Sequence, residues 1–91
     1  MDMIVVDFTG VKTLREIHQK LKDDLKFPDY YGYNWDALWD VLTGYIDYSM
    51  IIKLKGLNKL PLVLLSSVQM LLKVFNMARD ELPGFQFTTE D

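Results

Sequence analysis

The sequence of 91 residues contains no cysteine and a single histidine. Without cysteine the chain can form neither disulfide bonds nor thiolate zinc sites, and nothing points to an oxidising compartment. The most apolar segment, 60–78, is interrupted by polar residues and a proline, whereas a membrane span needs about 20 predominantly apolar residues. The sequence begins without a basic stretch followed by a long apolar run, which predicts no signal peptide. We therefore expect a cytoplasmic protein with no metal, no cofactor and no membrane partner.

Lysine and arginine are absent between positions 27 and 52, although the chain has ten of them elsewhere. The same stretch holds four aspartates, a local charge of −4, and the remaining residues sum to +1. All five tyrosines and both tryptophans also lie between Tyr30 and Tyr48. Aromatic side chains of this kind are enriched in protein interfaces. The segment thus predicts a surface for a positively charged partner, and it disfavours nucleic acid, whose phosphates require Lys and Arg.

The first part of the chain predicts a strand, a helix and a loop. A β-branched run predicts a buried strand at Met3 to Phe8. Apolar residues at helical spacing follow Thr13, which forms a capping box with Glu16, and this helix must end before Pro28. The segment 27–33 is expected to be an aromatic loop. Asn34 is a suitable N-cap for a second helix that runs to Thr43, with Gly44 as the stop beyond it.

The second part predicts a strand at Ser49 to Leu54 and leaves 57–65 undecided between helix and loop. Ser66 and Gln69 predict a capping box for a long final helix that ends before Pro83, and residues 85–88 predict the last strand. Strands separated by helices indicate parallel pairing. A chain this short buries one core. We therefore predict a single α/β domain over residues 1–91, a small three-stranded parallel sheet flanked by helices.

The helix after Asn34 predicts two different faces. Leu38, Val41, Leu42 and Tyr45 form the expected core stripe, which leaves Asp36, Trp39, Asp40 and Thr43 facing solvent. Like charges four residues apart repel by roughly 0.2–0.5 kcal/mol. An ordinary solvated helix face would also account for two aspartates, but the neighbouring tyrosines and tryptophans favour a cationic partner that offsets the repulsion.

The segment from Leu25 to Tyr45, LKFPDYYGYNWDALWDVLTGY, closely resembles the signature of the barstar family of intracellular ribonuclease inhibitors. That signature runs Pro-acid-Tyr-Tyr-Gly-x-Asn-x-Asp-Ala-Leu-Trp-Asp-x-Leu-Thr-Gly-aromatic. The resemblance implies a barstar-like fold, no catalysis, and a one-to-one complex with a barnase-type extracellular ribonuclease, formed by a protein that is monomeric when free. By position, Asp40 would occupy the phosphate site of the enzyme, Asp36 would bind its basic rim, and Tyr30 would pack on its catalytic histidine. The partner-binding residues that the resemblance implies are Tyr30, Asn34, Trp35, Asp36, Trp39, Asp40, Thr43, Gly44, Tyr45 and Glu81.

Two positions depart from the family prototype. Tyr33 and Met77 stand where the prototype has acids, so the contact surface predicted here carries less negative charge and more aromatic area. We expect slower association as a consequence, and the target could be a different ribonuclease or a nuclease of another type.

Two other classes of function are compatible with the residues. Asp36 and Asp40 could form an acid and base pair, as in glycoside hydrolysis. A convex helix face and a lone His18, which we interpret as structural, count against an enzyme. An acidic adaptor for a basic partner that is not a nuclease is the other alternative.

Overall fold

In the computed structural model, which describes residues 2–44 and 50–91, a three-stranded parallel sheet has helices against it. The elements are β1 (Asp2–Asp7), α1 (Leu14–Leu25), α2 (Trp35–Gly44), β2 (Met50–Lys55), α3 (Leu65–Glu81) and β3 (Gln86–Glu90). Two 3-10 turns, Leu57–Lys59 and Leu62–Leu64, precede α3. The predicted α/β class and parallel pairing are confirmed.

The strands lie in the order β1-β2-β3, with Ile4 opposite Ile52 and Ile52 opposite Phe87. Burial alternates along the strands: Val6 and Leu54 are fully buried, whereas Met3 and Val5 are exposed. Parallel sheets are usually covered on both faces. Here the alternation indicates that the described helices cover one face, which directs the core to that side.

Local capping explains where α1 and α2 begin. The Thr13 hydroxyl accepts a hydrogen bond from the Glu16 amide at 3.1 Å, and the Glu16 carboxylate accepts one from the Lys12 amide at 3.2 Å. The Asn34 side-chain oxygen accepts a hydrogen bond from the Ala37 amide at 2.7 Å. Both predicted caps are confirmed. Gly44 differs from its prediction, since it is the last residue of α2 and not a stop beyond the helix.

The predicted capping box at Ser66 and Gln69 is wrong. α3 begins at Leu65, and its N-cap position, Leu64, makes no side-chain capping bond. The amide of Leu64 instead donates to the Pro61 carbonyl at 2.9 Å within the preceding 3-10 turn. The chain therefore enters the helix directly from this turn, and Ser66 already lies inside the first turn of α3.

The core accounts for one face of α3, whereas Leu65, Met70 and Met77 on the same helix are exposed. The segment Leu62–Glu81 is long and apolar enough to cross a membrane by length and composition alone. In the structure, Leu71, Phe75 and Ala78 are fully buried, and the Phe75 ring lies 5.3 Å from that of Phe87 on β3. The apolar face of α3 thus packs in the protein core.

Gly56 joins β2 to the first 3-10 turn in the left-handed region, with φ 78°. A Cβ atom at this position would lie 2.9 Å from the Thr9 hydroxyl oxygen and 3.1 Å from an Asp7 carboxylate oxygen. Gly10 shares the conformation, with φ 87°, but a Cβ there would meet nothing within 4 Å.

We expect Gly10→Ala to lower the free energy of unfolding by about 1 kcal/mol, the cost of a left-handed alanine. Gly56→Ala pays the same cost and must also displace Thr9, so it should lose about 2–3 kcal/mol. Urea unfolding of both variants measures the difference. Equal losses would show that the steric contact at Gly56 is unimportant.

Candidate functional site

Two exposed carboxylates, those of Asp36 and Asp40, lie one turn apart on α2. Within residues 2–44 and 50–91, neither takes part in an ion pair; the ion pairs of these residues involve Asp24 and Glu90. Asp36 lies in the first helical turn, where the positive end of the helix dipole favours it, and Asp40 lies beyond that turn. The free protein therefore keeps two exposed carboxylates one turn apart on α2, and neither has an ion-pair partner among the residues that the structure describes.

Trp39, between these carboxylates in sequence, is less exposed than predicted. The Trp39 side chain is half-buried and packs against the core, and α2 lies in contact with α3. Thr43 is also half-buried, and its hydroxyl donates to the Trp39 carbonyl at 2.7 Å. The solvent-facing part of this surface thus consists chiefly of the two carboxylates.

A groove of about 260 Å³ runs between α2 and α3 beside Asp36. Two tryptophans from the α2 side form one wall, and residues at helical spacing on α3 form the other. The lining residues are Trp35, Asp36, Trp39, Met70, Lys73, Val74 and Met77. We call this the α2–α3 groove. Sequence reasoning missed Met70, Lys73 and Val74, although their spacing from Met77 places all four on one side of α3.

The aromatic loop places Tyr30 next to Asp40. The Tyr30 side chain is 82 % exposed. Tyr30, Tyr31, Asp40 and Val41 border one shallow depression of about 200 Å³. A large exposed ring beside an unpaired carboxylate is the combination expected of a protein interface.

The buried His18 side chain positions the Tyr31 ring of the aromatic loop through a hydrogen bond. His18 is 1 % exposed, and its Nδ1 atom shares a hydrogen bond of 2.6 Å with the Tyr31 hydroxyl. The Trp35 ring lies 4.6 Å from the imidazole, centroid to centroid. Burial lowers the pKa of His18 to about 4 and raises that of Tyr31 above its usual range. His18 is thus a buried, neutral support of the loop, in agreement with its structural interpretation.

The comparisons with known proteins agree on one family. The family model described as Barstar (barnase inhibitor) matches residues 1–90. The chain belongs to the barstar family. It is also 40 % identical, over 82 residues that make up 90 % of each chain, to a protein of Bacillus subtilis (strain 168) named "Putative ribonuclease inhibitor YrdF".

Tyr33, one of the two departures from the barstar prototype, has an unusual local environment. Its φ of 54° is uncommon for a bulky residue. The Arg15 guanidinium lies 4.4 Å and the Lys22 ammonium 5.6 Å from the ring centroid, and the Tyr33 hydroxyl donates to Gln19. The Tyr33 ring therefore contacts two basic residues of α1. Met77, the other departure, lines the α2–α3 groove.

Three further residues implied by the barstar signature lie at helix ends. Asn34 caps α2, Gly44 ends it, and both are exposed. Glu81 is the exposed last residue of α3 and is not among the residues that line the groove. Tyr45 lies outside the described residues. Among the residues that are described, no group of three or more histidines and acids could hold a metal ion.

Proposed function

We propose that this protein inhibits a secreted, barnase-type, guanyl-specific ribonuclease by inserting Asp40 into the phosphate-binding site of the enzyme. The complex is one-to-one, and the inhibitor acts in the cytoplasm. Membership of the barstar family and the name of the Bacillus subtilis relative support a role as a ribonuclease inhibitor. The observation that carries the proposal is the pair of exposed, unpaired carboxylates at Asp36 and Asp40.

The chemistry of the target supports this choice. A ribonuclease must hold a phosphodiester, so its active site presents cationic and hydrogen-bonding groups. A carboxylate on a helix offers two acceptor oxygens without a flexible backbone. Asp40 provides such a carboxylate. It lies in the middle of α2, is exposed, and has no ion-pair partner among the described residues.

The neighbouring residues supply the rest of the proposed contact face, which we define as Tyr30, Asp36, Trp39, Asp40 and the α2–α3 groove. Asp36 binds the basic rim of the enzyme, and the exposed Tyr30 ring packs on its active-site histidine. The groove receives a side chain from the rim, and its methionines can adapt to the shape of that side chain. Binding energy is then concentrated at the buried centre of the interface, as in most protein complexes.

The same geometry favours inhibition over catalysis. A general acid needs a carboxyl group that is shielded from water so that it keeps its proton near neutral pH. Asp36 and Asp40 are both solvent-exposed on a helix surface. They are therefore suited to electrostatic recognition rather than to acid and base chemistry.

Titration of the protein into a barnase-type ribonuclease assay tests the proposal. Activity should fall linearly to zero at one equivalent of inhibitor. Asp23→Ala removes an exposed carboxylate of α1 that is not among the contact-face residues and that accepts a hydrogen bond from the Gln19 side chain at 2.8 Å; as the control, it should inhibit as the natural protein does. Full enzyme activity at a large excess of inhibitor would reject a barnase-type target.

Association should depend on salt. The Debye length shortens from about 30 Å at 0.01 M to about 8 Å at 0.15 M ionic strength, so the attraction between the acidic face and the cationic cleft is screened. We expect the association rate constant to fall several-fold over this range while dissociation changes little. Stopped-flow mixing measures both rates. In Asp36→Asn the salt dependence should be weaker, and identical slopes in the two proteins would exclude steering by this carboxylate.

A further inference from the structure

The α2–α3 groove is lined mainly by apolar side chains. Val74 is buried, and Trp35 and Trp39 are half-buried. Met70 and Met77 line the same groove and are 37 % and 45 % exposed. Single exposed apolar residues are ordinary, whereas apolar side chains gathered in one concave surface mark an interaction site. The groove therefore offers apolar area that a bound partner can remove from water.

The charges of the groove cancel. Asp36 and Lys73 are the charged residues among the described residues that line it. Both are exposed, and in the part of the chain that the structure describes neither takes part in an ion pair. One acid and one base give a formal charge of zero, whereas the segment 27–52 as a whole holds four aspartates and no lysine or arginine. The groove is thus a neutral, apolar part of an otherwise acidic contact face.

Met77 keeps the groove neutral. It stands where the barstar prototype has an acid, and an acid at this position would give the groove a net negative charge that attracts a cation. Methionine instead presents a flexible, polarizable thioether that packs against apolar groups of different shapes. Met70 lies seven positions earlier on the same side of α3 and supplies a second such group. The residue at position 77 therefore changes the kind of side chain that the groove prefers.

We infer that the α2–α3 groove receives an uncharged, apolar side chain of the target ribonuclease, of the size of leucine or methionine, and that Met77 determines this preference. The inference rests on the proposed function, because the groove belongs to the contact face, and it adds the chemistry of the partner residue. A cavity of roughly 150 Å³ holds a benzene ring. The groove, at about 260 Å³, has room for a large apolar side chain.

A cationic side chain is the alternative occupant. Tryptophan rings attract cations, and Asp36 borders the groove. An arginine or lysine that entered would, however, lose hydration and meet the Lys73 ammonium, a charge of the same sign. Asp36 can offset one positive charge but not two. The groove therefore selects an apolar side chain partly by repelling the cationic one.

A barnase-type ribonuclease that the natural protein inhibits is used for the test. Double-mutant cycles between Met77→Ala and alanine substitutions around the active-site rim of the enzyme identify the enzyme residue that lies in the groove. Two versions of the enzyme are then prepared, one with leucine and one with arginine at that position. The dissociation constant of each is measured with the natural protein, Met77→Glu and Met77→Leu.

The natural protein and Met77→Leu should bind the leucine version about tenfold more tightly than the arginine version. Met77→Glu should reverse this order, because a carboxylate in the groove pairs with arginine and loses hydration against leucine. Lys73→Met should reduce the discrimination against arginine, since it removes the like charge. Met3→Glu is the matched control: Met3 is 48 % exposed on β1, outside the contact face, and its replacement should leave the order unchanged.

Urea unfolding checks the fold of every variant, since the substituted side chains are exposed. Equal affinities for the two enzymes, or a preference of the natural protein for arginine, overturn the inference while the inhibition itself stands. The same follows if Met77→Glu keeps the natural order, or if no rim residue couples to Met77→Ala. A natural protein that inhibits no barnase-type ribonuclease rejects the proposed function, and the inference with it, before any variant is compared.

Discussion

Asp40→Ala should weaken binding to a barnase-type ribonuclease by about 3–5 kcal/mol, roughly 100-fold to 5,000-fold in the dissociation constant. The loss is expected because the variant leaves the phosphate site of the bound enzyme without a negatively charged partner. Its phosphate-binding cations would be buried by the rest of the interface with no anion to compensate them. Removing one partner of a buried ion pair costs more than the pair itself contributes. Isothermal titration calorimetry or competition kinetics measures the change.

The variant should keep its fold, because Asp40 is exposed and, in the described part of the chain, forms no ion pair. Its urea midpoint should equal that of the natural protein or rise slightly, since the repulsion from Asp36 is removed. Asp40→Asn removes the charge but keeps the shape of the side chain, and its affinity for the ribonuclease should fall nearly as much as that of Asp40→Ala. Loss of binding together with unfolding would show that Asp40 acts on stability instead.

The stability of the protein should fall by about 3 kcal/mol between pH 6.5 and pH 4 because of His18. In the folded protein, burial lowers the pKa of His18 to about 4 from an ordinary value of 6.5. The unfolded chain therefore binds a proton in this interval that the folded chain excludes. The stabilisation is complete above pH 6.5 and is lost as the pH falls toward 4.

Urea unfolding across this interval, compared with His18→Gln, isolates the effect. Glutamine can still hydrogen-bond the Tyr31 hydroxyl but does not titrate. The variant should be less stable near neutral pH, and its free energy of unfolding should fall less steeply as the pH is lowered. Protonation of carboxylates lowers the stability of both proteins equally and does not affect the comparison. Parallel curves would mean that His18 is protonated in the folded protein or is not buried.

The parts of the fold set by local chemistry could be predicted from the sequence. Thr13 and Asn34 cap their helices with hydrogen bonds to residues three positions away, which a sequence displays directly. Parallel pairing followed from the alternation of strands and helices. The start of α3 could not be predicted in this way, since a 3-10 turn joined to the helix replaced the side-chain cap that Ser66 suggested.

In the candidate site, the features set by helical spacing could be predicted from the sequence, and those set by packing between helices could not. Asp36 and Asp40 share an exposed side of α2 because of their helical spacing, which requires no tertiary information. The burial of Trp39 and the α2–α3 groove depend on how α3 packs across α2, which the sequence of either helix alone does not specify. The backbone conformation of Tyr33 likewise depends on contacts with Arg15 and Gln19, which lie more than a dozen residues away.

Competition with a nucleotide tests most directly whether Asp40 replaces a substrate phosphate. The affinity of the protein for a barnase-type ribonuclease would be measured at increasing concentrations of guanosine 3′-phosphate. We expect strict competition: once the nucleotide concentration exceeds the dissociation constant of the nucleotide, the apparent dissociation constant of the inhibitor should rise in proportion to it. Unchanged affinity for enzyme saturated with the nucleotide would contradict it, because the phosphate site and the inhibitor site would then be separate.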